Sequence, residues 1–188
     1  MTMGVQQLFS RLIQKLAFTA MFGASLATPF SAYAACTQDR AIYGDRDEHY
    51  TLAFKRTPEG VPVTTSNEFT ITQKSDGQAT QTSAFKLDGV VMWTEGVARP
   101  NGMIMHNCPS GDVMGEEFED CTVWQGVIYA LKDGADADLL PKAKEPAAQA
   151  LLLPDLAGSV DSFDFGAAKP AEPLSWEVFR FRECAPDE

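Results

Sequence analysis

Two histidines, His49 and His106, and four cysteines are the side chains of this sequence best suited to chemistry. His106 lies two residues before Cys108, and a cysteine beside a histidine can act as a nucleophile activated by its base. His49 ends the charged run 45–49, where carboxylates and an imidazole together could transfer protons or bind a metal ion. One hypothesis is therefore a hydrolase that uses His49 or His106 with nearby carboxylates. The alternative is structural: the run 45–49 would be an exposed loop, and His106 would end a strand and bond to a neighbour.

The stretch from 107 to 140 contains eight acidic residues and one basic residue, Lys132. Five of the acids fall between Cys108 and Cys121, and they are the predicted binding residues: Asp112, Glu116, Glu117, Glu119 and Asp120. This concentration of carboxylates predicts a surface for a cationic protein or an envelope component. Carboxylates also bind Ca²⁺, but the regular spacing D-x-[DN]-x-[DN]-G is absent, so no metal site is predicted. The alternative is a solvated loop whose charge keeps the flanking apolar strands from pairing with other chains.

The four cysteines predict two disulfides. They all lie beyond residue 35 in a chain whose start predicts export, and an even number of cysteines in an exported chain indicates disulfides. Three pairings are possible, and we favour the local pair Cys108–Cys121 together with Cys36–Cys184, which would join the two ends of the domain. In the chain-entropy model the local bridge is worth about 3 kcal/mol and the terminal one about 5 kcal/mol. The spacing includes no CxxC pair, which argues against a zinc site.

Residues 1–34 predict a cleavable signal peptide. Two basic residues precede an apolar run at 16–26, and Ala32-Tyr33-Ala34 supplies a small-x-small cleavage pattern. The apolar run is shorter than the roughly 20 residues that a spanning helix needs, so no membrane span is predicted after processing. A lipid anchor on Cys36 is the alternative, but Tyr33 stands where lipoprotein signals usually carry leucine, and lipidation would leave an odd number of cysteines.

Residues 35–188 are predicted to form one exported domain, and their charge limits the classes of partner. The whole chain has 26 acidic and 15 basic residues, a formal net charge of −11, and the predicted leader contains basic but no acidic residues. A surface this acidic argues against nucleic acid and against anionic membranes as partners. The sequence shows no Gly-rich phosphate loop, GxSxG motif or cofactor fingerprint, so no cofactor and no catalytic residue are predicted.

Short apolar segments separated by Gly- and Asp-containing turns recur along the chain at a spacing of roughly ten residues. The predicted strands are 50–56, 68–74, 78–87, 90–95, 103–105, 123–131 and 176–183. Asp88-Gly89 predicts a hairpin turn, and Gly126 predicts a bulge or a close approach by another backbone inside the longest strand. One short helix is predicted at 146–153 and an irregular arm at 37–49. This pattern indicates a mainly β fold, a single small antiparallel β-sandwich or barrel-like domain.

The function predicted from these features is an exported, non-catalytic binding or envelope-associated module, either periplasmic or secreted. Concentrated negative charge and the lack of a catalytic motif favour a binding protein over an enzyme. Besides the hydrolase, a carbohydrate-binding module is the other alternative. It depends on Trp93, Trp124 and Trp176, which we expect in the core because they fall in predicted strands. An exposed row of the three indoles would instead form a platform for sugars.

Overall fold

The computed structural model describes residues 36–55, 65–74, 85–93, 99–109, 115–132 and 136–186. Within these residues the protein is mainly β, as predicted, and ten antiparallel strands form a curled half-barrel. The strands are β1 (Ala41–Gly44), β2 (Tyr50–Lys55), β3 (Thr65–Gln73), β4 (Lys86–Met92), β5 (Asn101–Met105), β6 (Thr122–Gly126), β7 (Tyr129–Leu131), β8 (Ala137–Leu139), β9 (Ala150–Leu152) and β10 (Val178–Cys184). The described residues contain two short helices instead of the one expected, α1 (Glu116–Cys121) and α2 (Leu156–Ser162). None of the described helices is long and apolar enough to cross a membrane. The predicted leader at 1–34 lies outside the described residues.

The order of the strands explains why the sheet curls. Across the sheet they follow one another as β6-β5-β4-β3-β2-β1-β10-β9-β7-β8. β6 and β7 are therefore eight strand positions apart, although only Val127 and Ile128 separate them along the chain. Eight spacings in a flat sheet would cover about 38 Å, whereas a two-residue link reaches only about 10 Å. The sheet must bend until its two ends approach each other.

The central strands bury one face each, which produces the core. Along β2, Tyr50, Leu52 and Phe54 are buried, and the residues between them are half-buried. β3 repeats the pattern with Phe69 and Ile71, both fully buried. Successive side chains of a strand point to opposite faces, so this alternation is what the sequence pattern predicted for the segments 50–56 and 68–74.

Gly89 lies in the middle of β4, so the hairpin turn predicted at Asp88-Gly89 is wrong. Its neighbours on the adjacent strands are Phe69 on β3 and Ile104 on β5. A Cβ atom on Gly89 would lie 2.2 Å from Cζ of Phe69. The glycine is therefore required because the Phe69 ring occupies the space above it, and not because the chain turns there.

The segment 123–131, predicted as one long strand, is two strands. β6 ends at Gly126, and β7 begins at Tyr129 on the other side of the half-barrel. A Cβ atom on Gly126 would lie 2.6 Å from Cζ2 of Trp124. The predicted close approach by another backbone is wrong, because the neighbour of Gly126 is the indole ring of Trp124, two residues earlier in the same strand.

Two segments that were not assigned to strands contain inner strands of the sheet. The predicted arm 37–49 is wrong, because β1 lies between β2 and β10 and buries Tyr43 completely. The helix predicted at 146–153 is also wrong, because β9 lies between β7 and β10. Alanine and leucine favour helices in isolation, but hydrogen bonding to a strand on each side outweighs that preference here.

Both predicted disulfides are confirmed. Cys36 and Cys184 form the terminal disulfide, with Cα atoms 5.8 Å apart, and Cys108 and Cys121 form the local disulfide, with Cα atoms 5.2 Å apart. The terminal disulfide joins the segment before β1 to the end of β10. The local disulfide joins the end of α1 to the segment that follows β5. Each bridge therefore reinforces a place where the sheet meets an irregular segment.

Candidate functional site

The register of the strands divides the predicted functional residues between two ends of the sheet. Asp88, near the start of β4, pairs with Met105 at the end of β5, and the start of β2 pairs with the end of β3. His106 and the turn 45–49 therefore lie at one end, which we name the His106 end. Trp93 directly follows β4 and lies at the opposite end, which we name the Trp93 end.

The predicted acidic residues lie mostly on helix α1. Glu116, Glu117, Glu119 and Asp120 are all exposed, while Asp112 lies outside the described residues. No ion pair formed by the described part of the chain engages any of the four. In the same part of the chain, no group of three or more histidine, cysteine, aspartate or glutamate side chains could hold a metal ion. The helix thus presents four carboxylates to solvent from a base fixed by the local disulfide.

His106 follows the end of β5 and is held by hydrogen bonds to both ring nitrogens. Its Nδ1 lies 3.2 Å from the carbonyl oxygen of Lys86, and its Nε2 lies 2.9 Å from Nδ2 of Asn107. Phe85 and Phe165 pack against the ring, with centroids 6.2 and 5.0 Å away. The predicted role as a strand-end residue bonded to a neighbour is confirmed. Neither ring nitrogen contacts a carboxylate among these bonds, and the nearby cysteines form the local disulfide.

His49 belongs to the exposed turn between β1 and β2. Asp45 is the buried residue of this run, with 2% of its surface exposed. Its carboxylate accepts the backbone N–H of Tyr50 at 2.9 Å. Arg46 lies over the ring of Trp176, 4.4 Å from its centroid, and Asp47 accepts the Trp176 indole N–H. The charged turn therefore fastens a hairpin to the segment before β10. His49 itself is exposed, and its backbone carbonyl accepts the N–H of Lys74 at 2.7 Å. The hydrolase hypothesis stays a prediction.

The three tryptophans do not form a row. Trp124 is buried, and its indole N–H donates to the Pro154 carbonyl at 2.8 Å, so its predicted place in the core is confirmed. Trp176 is 36% exposed at the His106 end, so its predicted burial is wrong. Trp93 is half-buried at the opposite end. No single platform can include Trp93 and Trp176.

A cleft with a volume of about 820 Å³ opens at the Trp93 end. It lies between Trp93, the β7–β8 hairpin and the segment 140–149. Its apolar surface includes Leu139, Leu140 and Pro141, and among its other lining residues Ala130 and Ala148 are buried. Small-molecule sites are typically concave, between about 300 and 1,000 Å³ in volume, and mostly apolar with a few polar groups. The cleft has a volume in this range, and its lining combines apolar side chains with four charged ones.

The charged groups of the cleft differ in their ion-pair and hydrogen-bond partners. Asp138 bonds to the ammonium of Lys132 at 3.0 Å, and this hydrogen bond lowers the pKa of Asp138 below its usual value. The carboxylate of Glu145 accepts the backbone N–H of Lys142 at 2.9 Å. The ammonium of Lys142 lies 6.0 Å from the centroid of the Trp93 ring and forms no ion pair with any residue in the described ranges. The Lys142 ammonium and the Glu145 carboxylate therefore both lack an ion-pair partner in the described ranges.

Three buried polar atoms behind the cleft wall have no hydrogen-bond partner among the described residues. They are Nε1 of Trp93, Oδ1 of Asn67 and Nε2 of Gln38. Trp93 lines the cleft itself, and the amide group of Asn67 donates to the carbonyl of Pro141 in the wall. The side-chain oxygen of Gln38 accepts the backbone N–H of Ala148, also in the wall. A buried polar group without a partner costs about 1–3 kcal/mol, so these three atoms weaken the packing behind the cleft wall.

Two buried tyrosines have raised pKa values. Burial raises the pKa of Tyr43 well above its usual value, and its hydroxyl lies 3.1 Å from the side-chain oxygen of Gln38. Burial, together with the charges of Asp45 and Glu172, raises the pKa of Tyr50 to about 12. Both phenols are therefore neutral at physiological pH. They serve as hydrogen-bonding core residues and not as proton carriers.

Sequence reasoning missed the cleft, although it predicted the acidic helix surface. Of the residues that line the cleft, Trp93 was considered for a function only as part of a row, and Asp138 only as one acid of the stretch 107–140. Most of the others come from the segment 138–149, part of which was assigned to a helix. The available signal was the pair of prolines, Pro141 and Pro146, which restrict the backbone between β8 and β9. Comparison of the chain with protein families, with curated proteins and with solved structures found no match.

Proposed function

We propose that this chain is an exported, non-catalytic binding protein that holds a small molecule in the cleft at the Trp93 end. The observation that carries the proposal is the cleft of about 820 Å³ with apolar walls and buried polar atoms directly behind them. The two histidines lie at the opposite end of the sheet, which favours binding over catalysis at this site. Two disulfides and the predicted leader support a periplasmic or secreted location.

Binding of a neutral apolar dye such as Nile red tests the proposal. Ala147 lines the cleft and is partly buried, so the Ala147→Trp variant places an indole where a ligand would lie. Ala157, on α2, does not line the cleft, and Ala157→Trp is the matched control. We expect the parent protein and the control to bind one dye molecule, and Ala147→Trp to bind it at least about tenfold more weakly.

Urea unfolding of all three proteins shows whether the variants remain folded. Equal dye binding by the two folded variants would refute the cleft as the binding site. If Ala147→Trp unfolds, the smaller change Ala147→Leu, with Ala157→Leu as its control, answers the same question.

A second candidate function is docking of a cationic protein or envelope component on helix α1. The four exposed carboxylates of α1, which no described ion pair engages, support it. A cationic polypeptide such as polylysine should bind more tightly at low than at high salt. Neutralising the four α1 acids should weaken this binding more than neutralising four other exposed acids, Asp136, Asp161, Glu172 and Glu183. Equal losses would show that only net charge matters.

A further inference from the structure

We infer that the ligand of the cleft at the Trp93 end is a small amphiphile with one carboxylate on an apolar body. This inference depends on the proposed function, because it names the chemical class that the same cleft would bind. It follows from three features: the apolar walls, the cation beside Trp93, and the donors of the lining residues that lack an acceptor among the described residues.

The walls determine the body of the ligand. Leu131 and Leu139 come from the β7–β8 hairpin, and Leu140, Pro141 and Pro146 come from the segment that leads to β9. Aliphatic side chains and prolines offer no side-chain hydrogen bonds, so hydroxyl groups placed along them would lose their bonds to water. An alkyl or other apolar body loses nothing there and gains from leaving water. A sugar, with hydroxyls on every side, fits these walls poorly.

The cation beside Trp93 favours an anionic head group there. The carboxylate of Asp138 is paired with the Lys132 ammonium, whereas the carboxylate of Glu145 accepts the backbone N–H of Lys142 and keeps its negative charge. The ammonium of Lys142 has no acidic partner in the portion of the chain that the structure describes, and it lies over the Trp93 face. The Lys142 ammonium already occupies the face of the Trp93 ring and would repel a cationic ligand. An anionic group is attracted to it.

The hydrogen-bonding groups agree with a carboxylate. Two residues that line the cleft carry donors without an acceptor among the described residues: the Lys142 ammonium and the Trp93 indole N–H. Nε2 of Gln38 and Oδ1 of Asn67 also lack partners there, but neither residue lines the cleft. A guest that brings acceptors and no donor matches the two donors of the lining residues. An ionised carboxylate has that character, because both of its oxygens accept and neither donates.

Calorimetric titration with four probes at neutral pH tests the inference: decanoate, decanol, decyltrimethylammonium and maltose, each below its aggregation threshold. We expect decanoate to bind at least about tenfold more tightly than decanol or decyltrimethylammonium, because only it pairs with Lys142. Lys142→Ala should remove about this tenfold preference and leave the binding of decanol unchanged. Lys142→Arg should keep it. Lys169→Ala, which removes an exposed lysine away from the cleft, is the matched control and should change nothing.

The outcomes separate this inference from the proposed function. If decanol binds as tightly as decanoate and Ala147→Trp blocks both, the cleft binds small molecules but the carboxylate is wrong. If maltose or the cationic probe binds preferentially in the same cleft, the inference is overturned in favour of that chemistry. If no probe binds and Ala147→Trp leaves dye binding intact, the proposed function and the inference both fail.

Discussion

The replacement of Gly89 by alanine tests the packing on which the half-barrel depends. A Cβ atom at this position would lie 2.2, 2.3 and 2.6 Å from three atoms of the Phe69 ring. Ordinary contacts of a Cβ atom begin near 3.4 Å, so the ring would have to move by about 1 Å to accommodate the methyl group. Phe69 is fully buried and packs against Phe54, with ring centroids 5.5 Å apart. The displacement would therefore spread through the core.

The expected loss of stability follows from two opposing effects. Overpacking a well-packed core costs about 1–3 kcal/mol, and a 1 Å displacement of a buried ring lies near the upper limit. Replacing glycine in a strand lowers the entropy of the unfolded chain and returns about 0.5–1 kcal/mol. We expect Gly89→Ala to lower the free energy of unfolding by about 2 kcal/mol. With a urea dependence of about 2 kcal/mol per molar, the midpoint should fall by about 1 M.

Urea unfolding monitored by tryptophan fluorescence measures this change, and two further variants make it specific. Gly158→Ala on α2 is the matched control, because a Cβ atom there would have no neighbour within 4 Å, and it should be neutral or slightly stabilising. In a Phe69→Leu background, Gly89→Ala should cost at least about 1 kcal/mol less than in the parent. The packing explanation is refuted if Gly89→Ala is as stable as the parent, or if its cost is the same in both backgrounds.

Three further predictions concern the terminal segments and the buried groups. Lys144→Ala removes the cation that bonds to the buried carboxylate of Asp39. Because Lys144 is itself largely exposed, we expect the free energy of unfolding in urea to fall by about 1–2 kcal/mol. The control variant Lys169→Ala should leave it unchanged. Replacing the terminal disulfide by serines should lower the melting temperature more than replacing the local one, because it closes the longer loop, and equal losses would contradict this. The pKa of Tyr50 is raised from 10.0 to about 12 in the folded protein, so its contribution to stability is complete below pH 10 and is lost as the pH rises through 12. Unfolding at several pH values, compared with Tyr50→Phe, measures that loss, and a parent curve parallel to that of the variant would refute it.

The parts of the fold that the sequence predicted correctly are those determined by neighbouring residues. The strands at 50–56 and 68–74 alternate apolar and polar side chains, and one buried face is enough to produce that pattern. The disulfides were predictable because only one of the possible pairings is both local for one bridge and end-to-end for the other. The acidic surface was predictable for the same reason, since Glu116 to Asp120 lie next to one another in the chain and need no tertiary contact to form a cluster.

The parts that could not be predicted depend on contacts between distant segments. β1 begins at Ala41 in a polar and charged region, and its place in the sheet is determined by its pairing with β2 and β10. The Ala- and Leu-rich segment before Pro154 has the composition of a helix, but β7 and β10 lie on either side of it. In each case one of the two partners is β10, which is distant in the sequence from both segments. Local propensity gives no information about such a partner.

The cleft is the feature that local sequence determines least, because it exists only when the sheet has curled. Trp93 follows the third strand in the sheet order, whereas Ala130 lies in the ninth, and six spacings in a flat sheet would separate them by about 29 Å. The two residues line one cleft because the short link of Val127 and Ile128 brings β7 to the far side of the half-barrel. A ligand that contacts both walls therefore binds the curled sheet and not an opened one. Such a ligand must raise the free energy of unfolding, by about 2.7 kcal/mol at one hundred times its dissociation constant.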